Sequence, residues 1–228
     1  MIIFAGRLCN QTTNPPNDQT TNPQNDQTMK RIVILTALAA LMVLPGYSQT
    51  TSPSFDEVLT TRRSIRNYDA TKKISEGEVR QLLEAVQEAP SWANQQPTKY
   101  YVAISPEKLA AVQDLVGGNK PRIQNAPVLI LSTFEKSKSG FFQGRPANDA
   151  GEFWGAYDNG LSNCYLVLKA RAMGFDTLIM GMRDADKLRE LFAIPENEQV
   201  MAVIALGYRA AEPVQPRHRP FDDVVKFF

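Results

Sequence analysis

Two apolar runs, Pro127–Phe134 (PVLILSTF) and Gln199–Gly207 (QVMAVIALG), constrain this chain most. Each has the length of a strand, is too short for a core helix, and scarcely alternates with polar residues. Such strands have to be covered on both faces, so the sheet they join lies between layers of helix. Thr98–Ile104, which alternates and is rich in aromatic and branched residues, reads as a third strand, and Thr177–Met180 as a short fourth.

Helix signals fill the intervals. Ser54-Phe55-Asp56-Glu57 and Ser75-Glu76-Gly77-Glu78 are capping-box patterns. The first helix is expected to run towards Arg62. Behind the second box Val79, Leu82, Leu83 and Val86 fall at i, i+3, i+4 and i+7, one apolar face that Pro90 terminates. Ser105-Pro106 opens a helix through Leu115 that Gly117-Gly118 ends. A long helix is expected from about Asp149 to Met173, with Gly174 after it, and a shorter one from Asp184 to Phe192. Glu135–Asn148 reads as a loop. The order is helix, helix, strand, helix, strand, long helix, strand, helix, strand: one layered α/β or α+β domain. After Tyr208, Pro213, Pro216 and Pro220 describe an extended arm, and Phe221, Val224, Val225, Phe227 and Phe228 at its end need an apolar surface to cover.

The front of the chain is of another kind. Residues 11–28 form an imperfect eight-residue repeat of Gln, Thr, Asn and Pro with no apolar face to bury. Met29-Lys30-Arg31 then precedes Ile32–Leu44, an apolar run of 13 residues broken by Pro45-Gly46. A bilayer needs about 20 such residues. A basic start, a short apolar stretch and small residues Gly46 and Ser48 match a secretory signal peptide at 29–48. Residues 1–28 then read either as an upstream extension wrongly assigned to the protein or as a translated, disordered leader, and 49–228 as the folded domain. A processed signal would place the protein in the periplasm or outside the cell; an unused one would leave it in the cytoplasm. No Cys follows the apolar run to carry a lipid, so no stable membrane anchor is expected.

Composition removes several function classes. The 25 basic and 24 acidic residues leave a formal charge of +1, which gives no basic face for nucleic acid. One His and two Cys make an imidazole or thiolate metal site improbable, and none is expected. Arg7, Lys30, Arg31, Asp18 and Asp26 all precede residue 49, so the rest of the chain is balanced at 22 of each sign.

Three polar clusters remain as carriers of chemistry. TRRSIRNY places Arg62, Arg63, Ser64 and Arg66 just after the first helix, donors suited to a phosphate, though a solvated basic turn reads the same way in isolation. APSWANQQP, Ala89–Pro97, sets Ser91, Asn94, Gln95 and Gln96 between prolines. Its amides offer donor and acceptor together, as a heteroaromatic ring edge requires. Arg217-His218-Arg219 repeats the phosphate-type chemistry in the late arm.

Taken in order with NAPVLIL (Asn125–Leu131), GLSNCYLVLKARAMGFDTLIMG (Gly160–Gly181) and LGYR before the late RHR, these segments resemble the FMN-dependent nitroreductase family from about Phe55 to Arg219. The resemblance implies an α+β nitroreductase-like fold, a central mainly antiparallel sheet flanked by helices, in an intertwined homodimer with two FMN sites at the interface. It implies that Arg62, Arg63, Ser64 and Arg66 hold the FMN phosphate and ribityl chain, with Arg217 and Arg219 closing on the same phosphate. It carries Pro90, Ser91, Trp92 and Asn94 to the flavin ring of the other subunit's site, Asn119 to the pyrimidine edge, and Met180-Gly181-Met182 to flavin N5. The long helix would then supply much of the dimer core. The activity implied is ping-pong hydride transfer from NADH or NADPH through flavin N5 to a nitroaromatic, quinone-like or similar small acceptor, with no side chain as essential acid or base. Trp92 departs from the family's usual second Ser, and Thr98 stands where an aromatic often follows Gln-Pro. An exported protein would sit apart from NAD(P)H, so a flavin protein with another donor or a degenerate activity is the alternative.

Overall fold

The computed structural model describes residues 52–228. The repeat, the basic start and the apolar run at the front lie outside the described residues.

Ser54 caps the first helix, α1 (Phe55–Thr61), by accepting from the Glu57 N–H at 3.2 Å. The second box closes both ways around α2 (Glu76–Val86): Ser75 Oγ accepts from the Glu78 N–H, and the Glu78 carboxylate accepts from the Ser75 N–H at 2.7 Å. The remaining elements are β1 (Thr98–Ala103), α3 (Pro106–Asp114), α4 (Lys120–Ile123), β2 (Val128–Glu135), β3 (Phe141–Phe142), β4 (Arg145–Pro146), α5 (Phe153–Ala172), β5 (Asp176–Met180), α6 (Ala185–Phe192), β6 (Glu198–Gly207) and α7 (Phe221–Val224).

The main sheet has the order β1-β2-β6-β5, every pair antiparallel. The two apolar runs are its central strands and are covered on both faces, as their composition demands. Leu129, Leu131, Val203 and Ala205 face one core with Val112 of α3, Ile123 of α4, Leu188 of α6, and Val116 just after α3. Val128, Ile130, Ile204 and Leu206 face the other, with Val79, Leu82 and Val86 of α2 and Leu166, Val167 and Ala170 of α5. Burying each large side chain of this kind stabilises by about 1.5–3 kcal/mol. Register slips by one residue between Ser132 and Thr133, where β6 bulges at Met201.

Three expectations are corrected. The long helix begins at Phe153, not Asp149, because Gly151 takes φ +47° and the Asn148 carboxamide oxygen caps an earlier turn through the Ala150 N–H and Trp154 Nε1. The loop after β2 contains the small hairpin β3–β4, turned by Gln143 and Gly144 at positive φ. The late arm is not extended throughout: Phe221–Val224 closes one helical turn. Among the described residues no helix is long and apolar enough to cross a membrane.

Candidate functional site

The early basic motif becomes a strap along the free edge of β5. α1 ends at Arg62, which is extended (φ −62°, ψ 130°). The chain then runs beside β5: Ser64 bridges Thr177 in parallel, and the Ile65 N–H donates to the Thr177 carbonyl at 2.9 Å. Ile65 and Tyr68 turn inward and are buried, while Ser64 and Arg66 stay exposed. Arg63 donates to the Arg62 carbonyl and Arg66 to the Ser64 carbonyl at 2.7 and 3.2 Å, which folds both guanidinium groups back over the strap.

Arg209 fixes the start of this strap. It grips the buried Asp176 carboxylate through Nε at 2.8 Å and Nη2 at 2.6 Å, and Nη2 reaches the Thr61 carbonyl at 3.3 Å. Arg171 adds a longer ion pair to Asp176 and donates from Nε to Thr61 Oγ1 at 3.0 Å. The hydrogen bonds to Asp176 raise the Arg209 pKa further, so this cation is permanent. In the sequence Arg209 is marked only by the segment LGYR, because Asp176 and Thr61, which it grips, lie 33 and 148 residues away.

At the other end of β5 the strand stops at buried Met180, and Gly181 and Met182 turn outward. No atom lies within 4 Å of where a Gly181 Cβ would stand, so the turn is open on that side. Gly117, at φ +55°, approaches Met182 so closely that a Cβ there would sit 3.1 Å from Met182 Sδ. The Asp184 N–H donates to the Leu115 carbonyl at 2.8 Å. Thus the Gly117–Asn119 turn, and Asn119 in it, is brought against Met180-Gly181-Met182 although some 60 residues separate them. Asn119 Oδ1 accepts from Arg122 Nη1 at 2.8 Å.

The Ala89–Pro97 loop goes elsewhere. Ala93, Asn94 and Gln96 all take positive φ (47°, 54° and 49°), a conformation that costs a non-glycine residue of order 1–3 kcal/mol. It is held by the Trp92 N–H donating to Asp158 Oδ2 at 2.9 Å, by Ser91 Oγ accepting from the Gln96 N–H, and by Gln96 Nε2 donating to Asn94 Oδ1. Asp158 is a buried residue of α5 that sequence reading did not single out. Beside it Asn159, Asn163, Ser132 and Tyr100 form a closed polar network under α5, and burial pushes the Tyr100 phenol up. The loop also rims a cleft of about 800 Å³ between α2 and β1, where Ser91, Gln96, Leu83, Tyr100 and Ile104 meet.

Within one chain, therefore, the candidate residues fall into separate groups. Arg62, Arg63, Ser64 and Arg66 lie on the strap, while Asn119, Met180, Gly181 and Met182 gather at the far end of β5. Pro90, Ser91, Trp92 and Asn94 sit against α5, and among the described residues no hydrogen bond ties them to the strap. Arg217 and Arg219 are exposed in the late arm and have no ion-pair partner among the described residues.

The model of the nitroreductase family matches residues 59–208. The chain belongs to the nitroreductase family. Its fold and the order of its polar segments agree with that membership. Among its relatives is YdgI of Bacillus subtilis, which carries a provisional NAD(P)H nitroreductase name and is 27% identical over 203 residues, 76% of this chain and 97% of that protein. The NADH dehydrogenase of Thermus thermophilus is 26% identical and spans 72% of this chain and 91% of its own. Among solved structures, a provisionally named nitroreductase of Exiguobacterium sibiricum in complex with FMN superposes with a TM-score of 0.70 at 26% identity, over 78% of this chain and 99% of that one.

Proposed function

We propose that this nitroreductase-family chain is an FMN-dependent oxidoreductase that takes hydride from NADH or NADPH and passes it, in ping-pong order, to a nitroaromatic, quinone-like or similar small acceptor. The observation that carries the reading is the arrangement along β5. A strap of four donors, Arg62, Arg63, Ser64 and Arg66, lies beside Thr177. An open glycine turn lies at Gly181, four extended residues or about 13 Å further on. Such a spacing suits a ligand with an anionic tail at one end and a flat polar ring at the other.

The residues present fit FMN. The strap offers charge-assisted donors to a phosphate, and the turn leaves room for a ring to approach backbone where a Cβ would obstruct it. Asn119 offers donor and acceptor to the ring edge. Bound there, FMN supplies the hydride chemistry; the chain orients it and sets the electrostatics around it. Arg62, Arg63, Ser64 and Arg66 hold the phosphate, Met180, Gly181 and Met182 line the reactive edge, and the exposed Arg217 and Arg219 close on the phosphate when the arm folds over it.

Pro90, Ser91, Trp92 and Asn94 complete the site of a second copy, which accounts for a strained loop without partners on its own strap. The homodimer is supported by a stripe of exposed Phe153, Tyr157 and Tyr165 along α5 and by the aromatic arm ending in Phe227 and Phe228. Export depends on the Met29 signal, and the native N-terminus read by mass spectrometry decides it: Gln49 for processing after Ser48, residue 1 or Met29 against it.

The phosphate assignment is tested with Arg62→Ala, alone and with Arg219→Ala. A hydrogen bond to a charged group contributes about 1.5–3 kcal/mol, so FMN affinity should fall roughly ten- to a hundredfold for the single variant, read by quenching of flavin fluorescence, while the far-ultraviolet CD spectrum stays native. Unchanged FMN retention in the double variant overturns the assignment.

A further inference from the structure

We infer that Arg183 is a positioning residue of the flavin site: its guanidinium holds the Gly181 carbonyl and so sets the peptide planes of the Gly181–Met182 turn, and it brings to that turn a positive charge that no carboxylate offsets. The inference rests on the reading of this turn as facing FMN.

Three observations support it. Arg183 Nη1 donates to the Gly181 carbonyl at 2.8 Å, the oxygen of the residue with open space where its Cβ would be. Nη2 donates to the Val200 carbonyl at 2.5 Å. Val200 lies three residues beyond Val203, the last partner of β5 in the ladder, so the guanidinium takes up a carbonyl that β5 is too short to reach. A side chain anchored to the end of β6 thereby fixes the orientation of the turn that leaves β5. With its carbonyl turned to Arg183, Gly181 directs the following peptide N–H, that of Met182, away from the clamp. Among the described residues that N–H donates to no backbone carbonyl.

The charge is as distinctive as the geometry. Arg209 and Arg171, the partly buried guanidinium groups at the start of β5, are matched by Asp176, and Arg209 also by Glu212. Arg183 has no carboxylate within 4.0 Å among the described residues, and its Nε is buried without a partner. Burial pulls its pKa down from the ordinary arginine value, yet a guanidinium stays protonated. An uncompensated cation in a partly desolvated position acts over several ångströms at lower screening than in water. Placed next to a flavin ring, it favours the negative charge that reduction adds, and so raises the reduction potential. A leucine or glutamine at this position could pack against the sheet end but could not supply that field.

A purely structural clamp predicts something different, so the test separates the two. Holoenzyme with Arg183→Gln and with Arg183→Lys is compared with the unchanged protein in three measurements: thermal unfolding, FMN affinity by fluorescence quenching, and the midpoint potential of bound FMN by anaerobic dye-coupled titration. The expected result is a more negative midpoint potential in Arg183→Gln, and a potential restored towards the original in Arg183→Lys. The lysine variant, which keeps the charge but loses the two-pronged grip, should bind FMN roughly tenfold more weakly through a less ordered turn. If Arg183→Gln binds FMN at the original potential, Arg183 only seals the sheet end and the inference fails. If Arg183→Gln does not fold, the lysine variant alone decides: unchanged affinity together with a lowered potential contradicts both halves of the inference. An unchanged protein that binds no FMN defeats the reading of the site itself, a result distinct from either.

Discussion

Asp158 has one described hydrogen-bond partner, the Trp92 N–H, and through it holds the one loop in which Ala93 and Asn94 both take left-handed backbone. The buried carboxylate stabilises that loop by accepting a charge-assisted bond, and its removal leaves the strain at Ala93 and Asn94 unopposed. Asp158→Ala, which removes the acceptor, should therefore destabilise the fold by about 1–3 kcal/mol and change the fluorescence of Trp92. Chemical denaturation and an emission spectrum check it; an unchanged spectrum and midpoint would show that the loop holds itself. None of this was legible in the sequence. Ser91, Trp92 and Asn94 stood out as a polar cluster between prolines, but their anchor is 66 residues away and no spacing rule links the two. Positive φ is unsurprising at Asn94, where the side chain tolerates it, and unannounced at Ala93. Arg183 and Arg209 were hidden for the same reason: what they grip is set by strand pairing.

At the scale of elements, capping chemistry carried the sequence reading furthest, because a cap is local. The Ser75–Glu78 box closes as its pattern predicts, and its hydrogen bonds to Ser75 hold the Glu78 carboxyl below the usual range. A carboxyl depressed by folding adds stability above its ordinary pKa and loses it as pH falls through the folded value. Glu78→Gln should thus be less stable than the unchanged protein near pH 7, and the difference should shrink as pH falls below about 4. Thermal melts of both proteins across that range measure it; a gap that widens on acidification would contradict the assignment. The strap was legible as a basic segment after a helix, but not as a strand-edge element, since its bonds go to Thr177. Its seat depends on Gly207, where a Cβ would stand 2.6 Å from the Tyr68 ring and 2.9 Å from Pro127 Cδ. Gly207→Ala should lift Tyr68 from β6 and cost about 1–3 kcal/mol, with FMN affinity falling alongside as the strap shifts. Stability lost with affinity retained would detach the strap from the site.

At the scale of the whole domain, the described residues leave many large apolar side chains exposed. Phe153, Tyr157 and Tyr165 share α5 with residues that pack on the sheet, and Phe221, Val224, Phe227 and Phe228 end the arm with no core of their own. Exposed apolar side chains in such number are what the proposed homodimer would cover. If the proposed homodimer forms through this face, replacing Phe153 and Tyr157 with Asp should yield a monomer in sedimentation and weaken FMN binding, because the Ser91–Asn94 loop would lose the partner site proposed for it. Monomers that keep their flavin would show that the site is built from one chain. The fold was legible here because two apolar strands force two covering layers. The near-neutral charge matters through placement: its guanidinium groups stand at the strap, the turn and the arm.

Together, the strap, the open turn and the late arm are proposed to form a flavin site that accepts hydride from a nicotinamide. The decisive measurement is the visible spectrum of the purified protein after equilibration with FMN, followed by anaerobic titration with NADH and NADPH. The expected result is a bound flavin spectrum that bleaches stoichiometrically with at least one donor and returns on adding a quinone. A colourless protein that cannot be reconstituted with FMN, or a bound flavin that neither nicotinamide bleaches, would contradict it.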